Sequence, residues 1–348
     1  MFFEAMRFWS EVLKPLPVPC WNLPSTVTFE DDSLKLRCFT HAPGEKTPIL
    51  ILAPNAGHHQ NICEPLVKRC IAVDAARPVY VIEWIPPTPQ CSHRFDSIGD
   101  IVQDVAGCVR RLGNRVHLFG LCQGGWVAAL YAALYPGTVA SYVNAAGPID
   151  FTAGDAKIHS ACKKLPMSYY ENMVAMSGGV QRGESQLFSF KSLNAYDRYV
   201  GDYADLWLAI CEGDEGKVKK WRRFKEWYDQ PVNLPGTWYI EAVDKLFKKN
   251  LLIKGELDIL GRKVELKQIS CPVFLIAGDR DDITPPDQVF NMARYVSGPA
   301  RKKLIEDAGH IAVFVKESSL RHWETAILKN LDAIDSGAPI LSDQVTAA

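Results

Sequence analysis

A cysteine at position 122 lies in a tight-turn motif that could present a nucleophile. It is the third residue of Gly-Leu-Cys-Gln-Gly-Gly-Trp at 120–126, between an apolar run ending at 121 and an alanine-rich run at 127–135. A strand, a sharp turn and a helix in this order are typical of a nucleophile elbow, in which serine is more usual than cysteine. We expect glycine at 120 and 124 because strand and helix approach closely at such a turn. The sequence therefore predicts Cys122 as a nucleophile.

A thiol nucleophile needs a base and a group that orients the base, and both follow later in the chain. Residues 278–286, Gly-Asp-Arg-Asp-Asp-Ile-Thr-Pro-Pro, come directly after an apolar run, which places carboxylates at the carboxyl edge of the predicted sheet. His310 follows the next predicted strand. The order nucleophile, acid, histidine is that of the α/β-hydrolase triad. We predict Cys122, Asp281 and His310 as the catalytic residues, with Asp282 as the alternative orienting group.

An oxyanion formed at this cysteine would need backbone N–H donors close to it. The amide of Gln123 follows the cysteine at the start of the predicted helix, where the helix dipole also favours negative charge. A second amide is expected from the loop at 54–59, and either Ala56 or Gly57 could supply it. The candidate pocket-lining residues nearby are Asn55, His58 and Trp126. We predict no metal site, because the histidines of this loop have no acidic or cysteine partner nearby.

The elements that must position these groups alternate between strand and helix. Apolar runs short enough for buried strands lie at 47–53, 78–85, 116–121, 140–146 and 271–277, with another strand near 303–305. Helices are indicated at 97–112, after the elbow, at 286–296 and from Leu320 to Ile334, the first with Asp96 as N-cap. The pattern predicts an α/β protein of the α/β-hydrolase fold, with a mostly parallel, doubly wound sheet and a helical cap insertion.

The same pattern predicts five segments. They are an N-terminal amphipathic segment (1–26), the first part of the core (27–150), a helical cap or lid (151–265), the second part of the core (266–336) and a tail (337–348). The N-terminal segment is expected to be a packed amphipathic helix, with docking on an apolar surface such as a polymer or lipid boundary as the alternative.

The bulk composition excludes several classes of function. The 348-residue chain has a formal net charge of −1, with 47% hydrophobic and 23% charged residues, which is ordinary for a globular protein. This charge predicts no nucleic-acid partner. No apolar run reaches the roughly 18 residues of a membrane span, so no transmembrane segment is predicted. Ten cysteines without a secretory leader or Cys-x-x-Cys spacing indicate reduced thiols in a cytoplasm.

Several segments resemble the polyhydroxyalkanoate synthase and intracellular polyhydroxyalkanoate depolymerase superfamily, over residues 27–330. The stretch 120–125 is similar to the synthase lipase-like box, in which cysteine replaces serine. Further synthase-like segments lie at 233–236, 260–266, 269–273 and 309–311. Segments that resemble the depolymerase branch lie at 53–58 and 147–150, and those that resemble a larger, poorly characterised synthase-related family lie at 122–126 and 188–194.

The resemblance implies an enzyme that forms a hydroxyacyl thioester on Cys122 from (R)-3-hydroxyacyl coenzyme A and passes it to a growing polyester. An intracellular depolymerase or esterase with the same triad is the alternative, and a catalytically silent granule-associated binding protein is a remote third. No cofactor is expected, because coenzyme A would be part of the substrate. The partners implied are a polymer granule surface and a second copy in a homodimer. The basic run from Lys217 to Lys225 is either a solvated helix face or a site for the coenzyme A phosphates.

Overall fold

The computed structural model describes residues 1–40 and 45–340, except for the side chain of Trp227, so residues 341–348 of the predicted tail lie outside the described residues. The strands are β1 (Thr26–Glu30), β2 (Leu34–Cys38), β3 (Ile49–Leu52), β4 (Val79–Trp84), β5 (Val116–Leu121), β6 (Val139–Ala145), β7 (Val180–Gln181), β8 (Leu234–Pro235), β9 (Asp258–Ile259), β10 (Arg262–Lys263), β11 (Val273–Gly278) and β12 (Ala300–Ile305). The helices are α1 (Phe2–Leu13), α2 (His59–Val73), α3 (Ile98–Arg111), α4 (Gln123–Leu134), α5 (Lys157–Lys164), α6 (Met167–Met176), α7 (Gly183–Leu193), α8 (Asp202–Glu212), α9 (Glu215–Tyr228), α10 (Gly236–Glu241), α11 (Leu251–Lys254), α12 (Pro286–Phe290), α13 (Ala312–Val315), α14 (Glu317–Ala326) and α15 (Leu331–Ser336).

Eight strands form the central sheet, in the order β1-β2-β4-β3-β5-β6-β11-β12. The pairs from β4 to β12 are all parallel, whereas β1 and β2 are antiparallel additions at one edge. The six predicted strands are confirmed, and β1 and β2 were not predicted. The expectation of an α/β fold with a mostly parallel sheet is confirmed.

Helices cover both faces of this sheet, which explains why its central strands are buried at every position. On β3, Leu50 and Leu52 point to the face on which α3 and α4 pack. Ile49 and Ile51 alternate with them and point to the opposite face, which is covered by α2, α13 and α14. All four side chains are fully buried. The doubly wound arrangement follows from this alternation.

Three helix details differ from the sequence predictions. The N-cap of α3 is Ser97, because its hydroxyl accepts the Asp100 N–H in a reciprocal capping box, and the choice of Asp96 is wrong. The predicted helix at 286–296 ends at Phe290 and continues only as a 3₁₀ turn to Arg294. The final helix is interrupted at Ile327, where the backbone leaves helical geometry at φ −121° and ψ −65°.

The chain between β6 and β11 is mainly helical, with α5 to α11 and two pairs of very short strands. Two π-helical turns, Asp197–Gly201 and Ala242–Lys248, adjoin α8 and α10. The insertion of helices between two parts of one sheet has the form that the sequence predicts, and the domain boundaries at 150 and 265 stay a prediction.

Helix α1 contacts the inserted helices through one face only. Phe8 and Val12 pack against a small cluster that contains Leu206 of α8. The remaining large apolar residues of this region are exposed: Met1, Phe2, Phe3, Met6, Trp9 and Leu13. Packing of the amphipathic helix is thus confirmed for one face, and docking by the other face stays a prediction. Within the described parts of the chain, no helix is long and apolar enough to cross a membrane.

The turn between β5 and α4 leaves no room for side chains at its glycines. A Cβ atom on Gly120 would lie 2.4 Å from the carbonyl oxygen of Gly124, and one on Gly124 would lie 2.1 Å from the carbonyl oxygen of Leu52. Both distances are far below van der Waals contact, so the backbone itself would have to move. The predicted need for glycine at these positions is confirmed.

Gly120→Ala should therefore lower the free energy of unfolding by about 3 kcal/mol or more, because the added methyl group overlaps backbone atoms that cannot swing away. The measurement is urea denaturation followed by circular dichroism. Gly137→Ala is the matched control, since a Cβ atom there meets nothing within 4 Å, and its unfolding free energy should stay within about 1 kcal/mol of wild type. Equal losses in the two variants would contradict the steric argument.

Candidate active site

Cys122 lies at the carboxyl end of the central strand β5, in a strained backbone conformation. Its φ is 52° and its ψ is −119°, a region that residues with a side chain rarely adopt. The turn is held by its own backbone, since the Cys122 N–H donates to Ala145 O at 2.9 Å and its carbonyl accepts the Gly125 N–H at 2.8 Å. This geometry places a partly exposed sulfur at the N-terminus of α4, where the helix dipole favours negative charge.

Asp281 and His310 form a buried pair in the loops that follow β11 and β12. His310 Nδ1 lies 2.8 Å from Asp281 Oδ2, and both side chains are nearly inaccessible to solvent. The other carboxylate oxygen, Oδ1, accepts the N–H groups of Ile283 at 3.0 Å and Thr284 at 2.8 Å. A carboxylate oxygen is the acceptor in this contact, so Nδ1 of the imidazole carries the hydrogen and donates it. The hydrogen bond also fixes the orientation of the ring.

The charge of Cys122 affects the imidazole of His310. Nε2 is buried and has no hydrogen bond of regular geometry within the described residues. Burial lowers the pKa of His310, but the charges of Asp281 and Cys122, together with the hydrogen bond to Asp281, outweigh burial and raise this pKa well above its ordinary value. The structure thus joins Asp281 to His310 by a hydrogen bond and places Cys122 close enough for its charge to raise the pKa of the imidazole.

The neighbouring carboxylate at 282 does not take part in this contact. Asp282 is exposed, and its Oδ2 accepts a hydrogen bond from Asn194 Nδ2 at 3.2 Å. A cap role for Asp281 on α12 is also unsupported, because the N-cap of that helix is Pro285 and makes no side-chain cap hydrogen bond. Of the two residues that the sequence left open, Asp281 is therefore the one in contact with His310.

The candidate oxyanion loop lies against the start of α4. The Ala56 N–H donates to the side-chain Oε1 of Gln123 at 3.0 Å, a contact that sequence reasoning did not find. Gly57 has a φ of 89°, a left-handed backbone angle that glycine adopts without steric cost. The backbone N–H of Gln123 is the first of α4 and has no intrahelical acceptor. All three residues thus adjoin the nucleophile turn.

One large cavity opens beside this turn, between the start of α4 and the inserted helices. It encloses about 930 Å³, including its opening to solvent, and is lined mostly by apolar and aromatic side chains. Gln123 and Trp126 line it from α4, and Trp126 stacks on Trp238 with ring centroids 5.4 Å apart. The other lining residues come mainly from α5, α6, α7 and α10. In the sequence, only the aromatic content of the insertion indicated that these residues could line a cavity.

The other two candidate pocket residues lie elsewhere. Asn55 is buried, its Oδ1 lacks a partner within the described residues, and it lines a small separate cavity with Pro86 and Pro87. His58 is the N-cap residue of α2, and burial lowers its pKa. It lines neither of these cavities. Of the three pocket candidates, only Trp126 therefore lines the large cavity.

Half of the six basic residues of this run on α9 make structural contacts. Lys225 is almost fully buried and pairs with Asp229, and Lys217 pairs with Glu212. Arg222 donates to the carbonyl oxygens of Glu11, Lys14 and Pro15 at the end of α1. The exposed members of the run are Lys219, Lys220 and Arg223, together with Lys217. A phosphate site on this helix stays a prediction.

The part of the chain that the structure describes holds no group of three or more His, Cys, Asp and Glu residues arranged for a metal ion.

Comparisons with known proteins agree with this architecture. A family model described as "Protein of unknown function (DUF3141)" matches residues 37–347. The chain is 25% identical over 323 residues to the poly(3-hydroxyalkanoate) polymerase subunit PhaC of Allochromatium vinosum, covering 89% of this chain and 88% of that protein. In fold it is similar to a monoacylglycerol lipase from Paleococcus ferrophilus, with a TM-score of 0.54, 15% identity and coverage of 86% and 99%. It is also similar to mouse alpha/beta hydrolase domain-containing protein 10, with a TM-score of 0.53, 14% identity and coverage of 90% and 100%.

Asp281→Asn should slow alkylation of Cys122 by iodoacetamide at neutral pH by about tenfold, because loss of the carboxylate charge lowers the pKa of His310 and makes the imidazole a weaker base toward the thiol. The measurement is the second-order labelling rate at Cys122, read by mass spectrometry between pH 6 and 8. Asp282→Asn is the matched control and should label within about twofold of wild type, since its carboxylate is exposed. Slower labelling of Asp282→Asn than of Asp281→Asn would instead assign the orienting role to Asp282.

Proposed function

The chain belongs to the DUF3141 family of proteins of unknown function and is related to polyhydroxyalkanoate polymerases within the α/β-hydrolase superfamily. On this premise, we propose that it is a cysteine-dependent acyltransferase. Its substrate is an (R)-3-hydroxyacyl coenzyme A thioester, and its product is a polyester. The observation that carries the proposal is the buried contact of Asp281 with His310, next to the cysteine of a strained elbow.

The first half-reaction loads the enzyme. His310 accepts the Cys122 proton at Nε2, and the thiolate attacks the thioester carbonyl of the substrate. The resulting oxyanion accepts hydrogen bonds from the amides of Gln123 and Ala56 or Gly57. The carbon–sulfur bond to coenzyme A then breaks, the proton on His310 passes to the leaving thiolate, and a hydroxyacyl thioester remains on Cys122. Asp281 holds the imidazole in place and stabilises its positive charge.

The second half-reaction lengthens the polymer. The hydroxyl group of a second acyl unit gives its proton to His310 and attacks the thioester on Cys122. An ester forms, and the thiol is regenerated when the cysteine takes the proton back. Cysteine suits this cycle because transfer from one thiol to another is nearly isoenergetic, so the loaded enzyme forms readily from coenzyme A thioesters.

The cavity beside the elbow supports a substrate with an apolar chain. Its lining is mainly apolar, and the stacked pair Trp126 and Trp238 forms a rigid part of its wall. Such a site gains affinity from burial of methylene groups, about 0.8 kcal/mol for each. The side chain of Gln123, which lines the cavity directly after the elbow cysteine, is suited to the thioester end of the substrate.

The alternative is hydrolysis by the same groups. In a depolymerase or esterase, Cys122 would attack a polyester carbonyl and water would release a soluble hydroxy acid. The three side chains serve both reactions equally, so the identity of the product decides between them. A silent granule-associated protein would need no ordered contact between Asp281 and His310.

Purified protein incubated with 3-hydroxybutyryl coenzyme A should release coenzyme A and form polymer, whereas Cys122→Ala should reduce release by at least about a thousandfold, because the nucleophile is lost. Free thiol is followed with a chromogenic disulfide, and polymer by gas chromatography after methanolysis. Asp282→Asn serves as the folded control. Release of soluble hydroxy acids from amorphous polymer, without polymer formation, would favour the hydrolase, and no turnover in either assay would leave only a binding role.

The exposed face of α1 is the part of the chain best suited to a polyester granule. Phe3, Met6 and Trp9 are all more than half exposed on it. The charges along the helix balance, since Glu4 and Glu11 are matched by one arginine and the lysine that follows its last residue. A neutral polyester offers apolar contact without anionic groups, so it fits this face better than an anionic lipid surface, which recruits helices rich in lysine and arginine.

The double substitution Phe3→Ser and Trp9→Ser should reduce co-sedimentation of the protein with amorphous poly(3-hydroxybutyrate) granules by about tenfold or more, because two large apolar side chains lose their contact with the polymer. The control is Leu304→Ser, which removes an exposed apolar side chain on β12. Stronger sedimentation with anionic vesicles than with granules, or a change from dimer to monomer in light scattering, would assign this face to a lipid surface or to a second copy instead.

A further inference from the structure

The amide of Ala56 has an acceptor inside the protein. It donates to Oε1 of Gln123 at 3.0 Å. The same glutamine supplies the first backbone N–H of α4, directly after the cysteine. The side chain of Gln123 thus occupies the Ala56 amide, while the backbone of the same residue supplies the other amide that we assign to the oxyanion hole. A side-chain amide carbonyl is the same kind of acceptor as the carbonyl oxygen of a thioester, and a backbone N–H has one hydrogen to give.

We propose that the Gln123 side chain is an internal occupant of the oxyanion hole, which the substrate carbonyl must displace from the Ala56 N–H before acylation. This inference rests on the acyl-transfer function proposed above, and it makes Gln123 a positioning residue through its side chain. It also favours Ala56 over Gly57 as the second donor, because an acceptor already lies on the Ala56 amide.

The surroundings of the glutamine allow such a displacement. Gln123 is only partly buried, and its side chain lines the large cavity, so the cavity offers a second position for the amide. Gln186 and Ser189 of α7 line the same cavity and are polar groups within that wall. Exchange of one amide–carbonyl hydrogen bond for another changes an equilibrium by only about twofold to tenfold, so the occupant slows acylation without preventing it.

The occupied hole has a consequence for the resting enzyme. With Oε1 on the Ala56 N–H, one of the two donors is shielded from water and from other carbonyl groups. The full electrostatic stabilisation of the oxyanion then appears only when a substrate carbonyl has replaced the glutamine oxygen. Alkylation of the same sulfur by iodoacetamide forms no oxyanion and does not need the hole. The ratio of the acylation rate to the alkylation rate at Cys122 therefore isolates the effect of Gln123.

Gln123→Met keeps the length of the side chain and removes the carbonyl acceptor, so this ratio should rise by about twofold to tenfold over wild type. Gln123→Glu places a charged acceptor on the Ala56 N–H and a negative charge beside the developing oxyanion, so the ratio should fall below wild type. Single-turnover release of coenzyme A from 3-hydroxybutyryl coenzyme A gives the acylation rate, and mass spectrometry gives the alkylation rate. The same ratio is measured with p-nitrophenyl butyrate, whose acylation needs the hole but not coenzyme A.

Gln103→Met is the matched control, because it removes an exposed amide on α3 that neither lines the large cavity nor contacts Ala56, and its ratio should equal that of wild type. A fall in the ratio for Gln123→Met would show that the glutamine braces the loop, and an unchanged ratio would show that its side chain lies outside the hole. Either result overturns the inference while wild type still acylates. Acylation of wild type by the nitrophenyl ester but not by the thioester would overturn the proposed substrate alone.

Discussion

The close approach of three backbone segments at the end of β5 is the constraint on which the rest of the site depends. Strand β5, helix α4 and the end of β3 lie so near one another that even a methyl group at Gly120 or Gly124 would overlap backbone oxygen atoms. The chain turns between strand and helix within one residue, Cys122. Its positive φ shows that the backbone strain of the turn lies at this residue. The strain is sustained because the parallel sheet and the buried helix α4 determine the positions of both flanking segments.

A second requirement is the stabilisation of charge away from water. Asp281 is buried, but it accepts two backbone N–H groups as well as the His310 ring, so its oxygens keep hydrogen-bond partners that water would otherwise supply. The raised pKa of His310 shows that the attraction of its neighbours outweighs the penalty of burial. The pair comes from the ends of β11 and β12, which are adjacent and parallel, so the sheet itself brings the two loops together.

The inserted helices give this charged site an apolar boundary. Helix α4 connects the two regions, because its first residue contacts the loop at 54–59 and its Trp126 forms part of the cavity wall with Trp238. Gln123 lies at the junction and contacts both. The side chain of Gln123 can respond both to a ligand in the cavity and to the conformation of the loop at 54–59. Its hydrogen bond to the Ala56 amide therefore bears on the acyl transfer proposed for Cys122.

Local sequence patterns determined the six parallel strands of the central sheet, the elbow with its two required glycines, and the order of Cys122, Asp281 and His310 along the chain. These features depend on neighbours along the chain, on side-chain size and on alternation, all of which a sequence displays directly. Sequence did not determine whether Asp281 or Asp282 meets His310, the acceptor of the Ala56 amide, or which helices line the cavity. Each of these contacts joins groups that are far apart in the chain, and only the packed sheet and helices fix the distances between them.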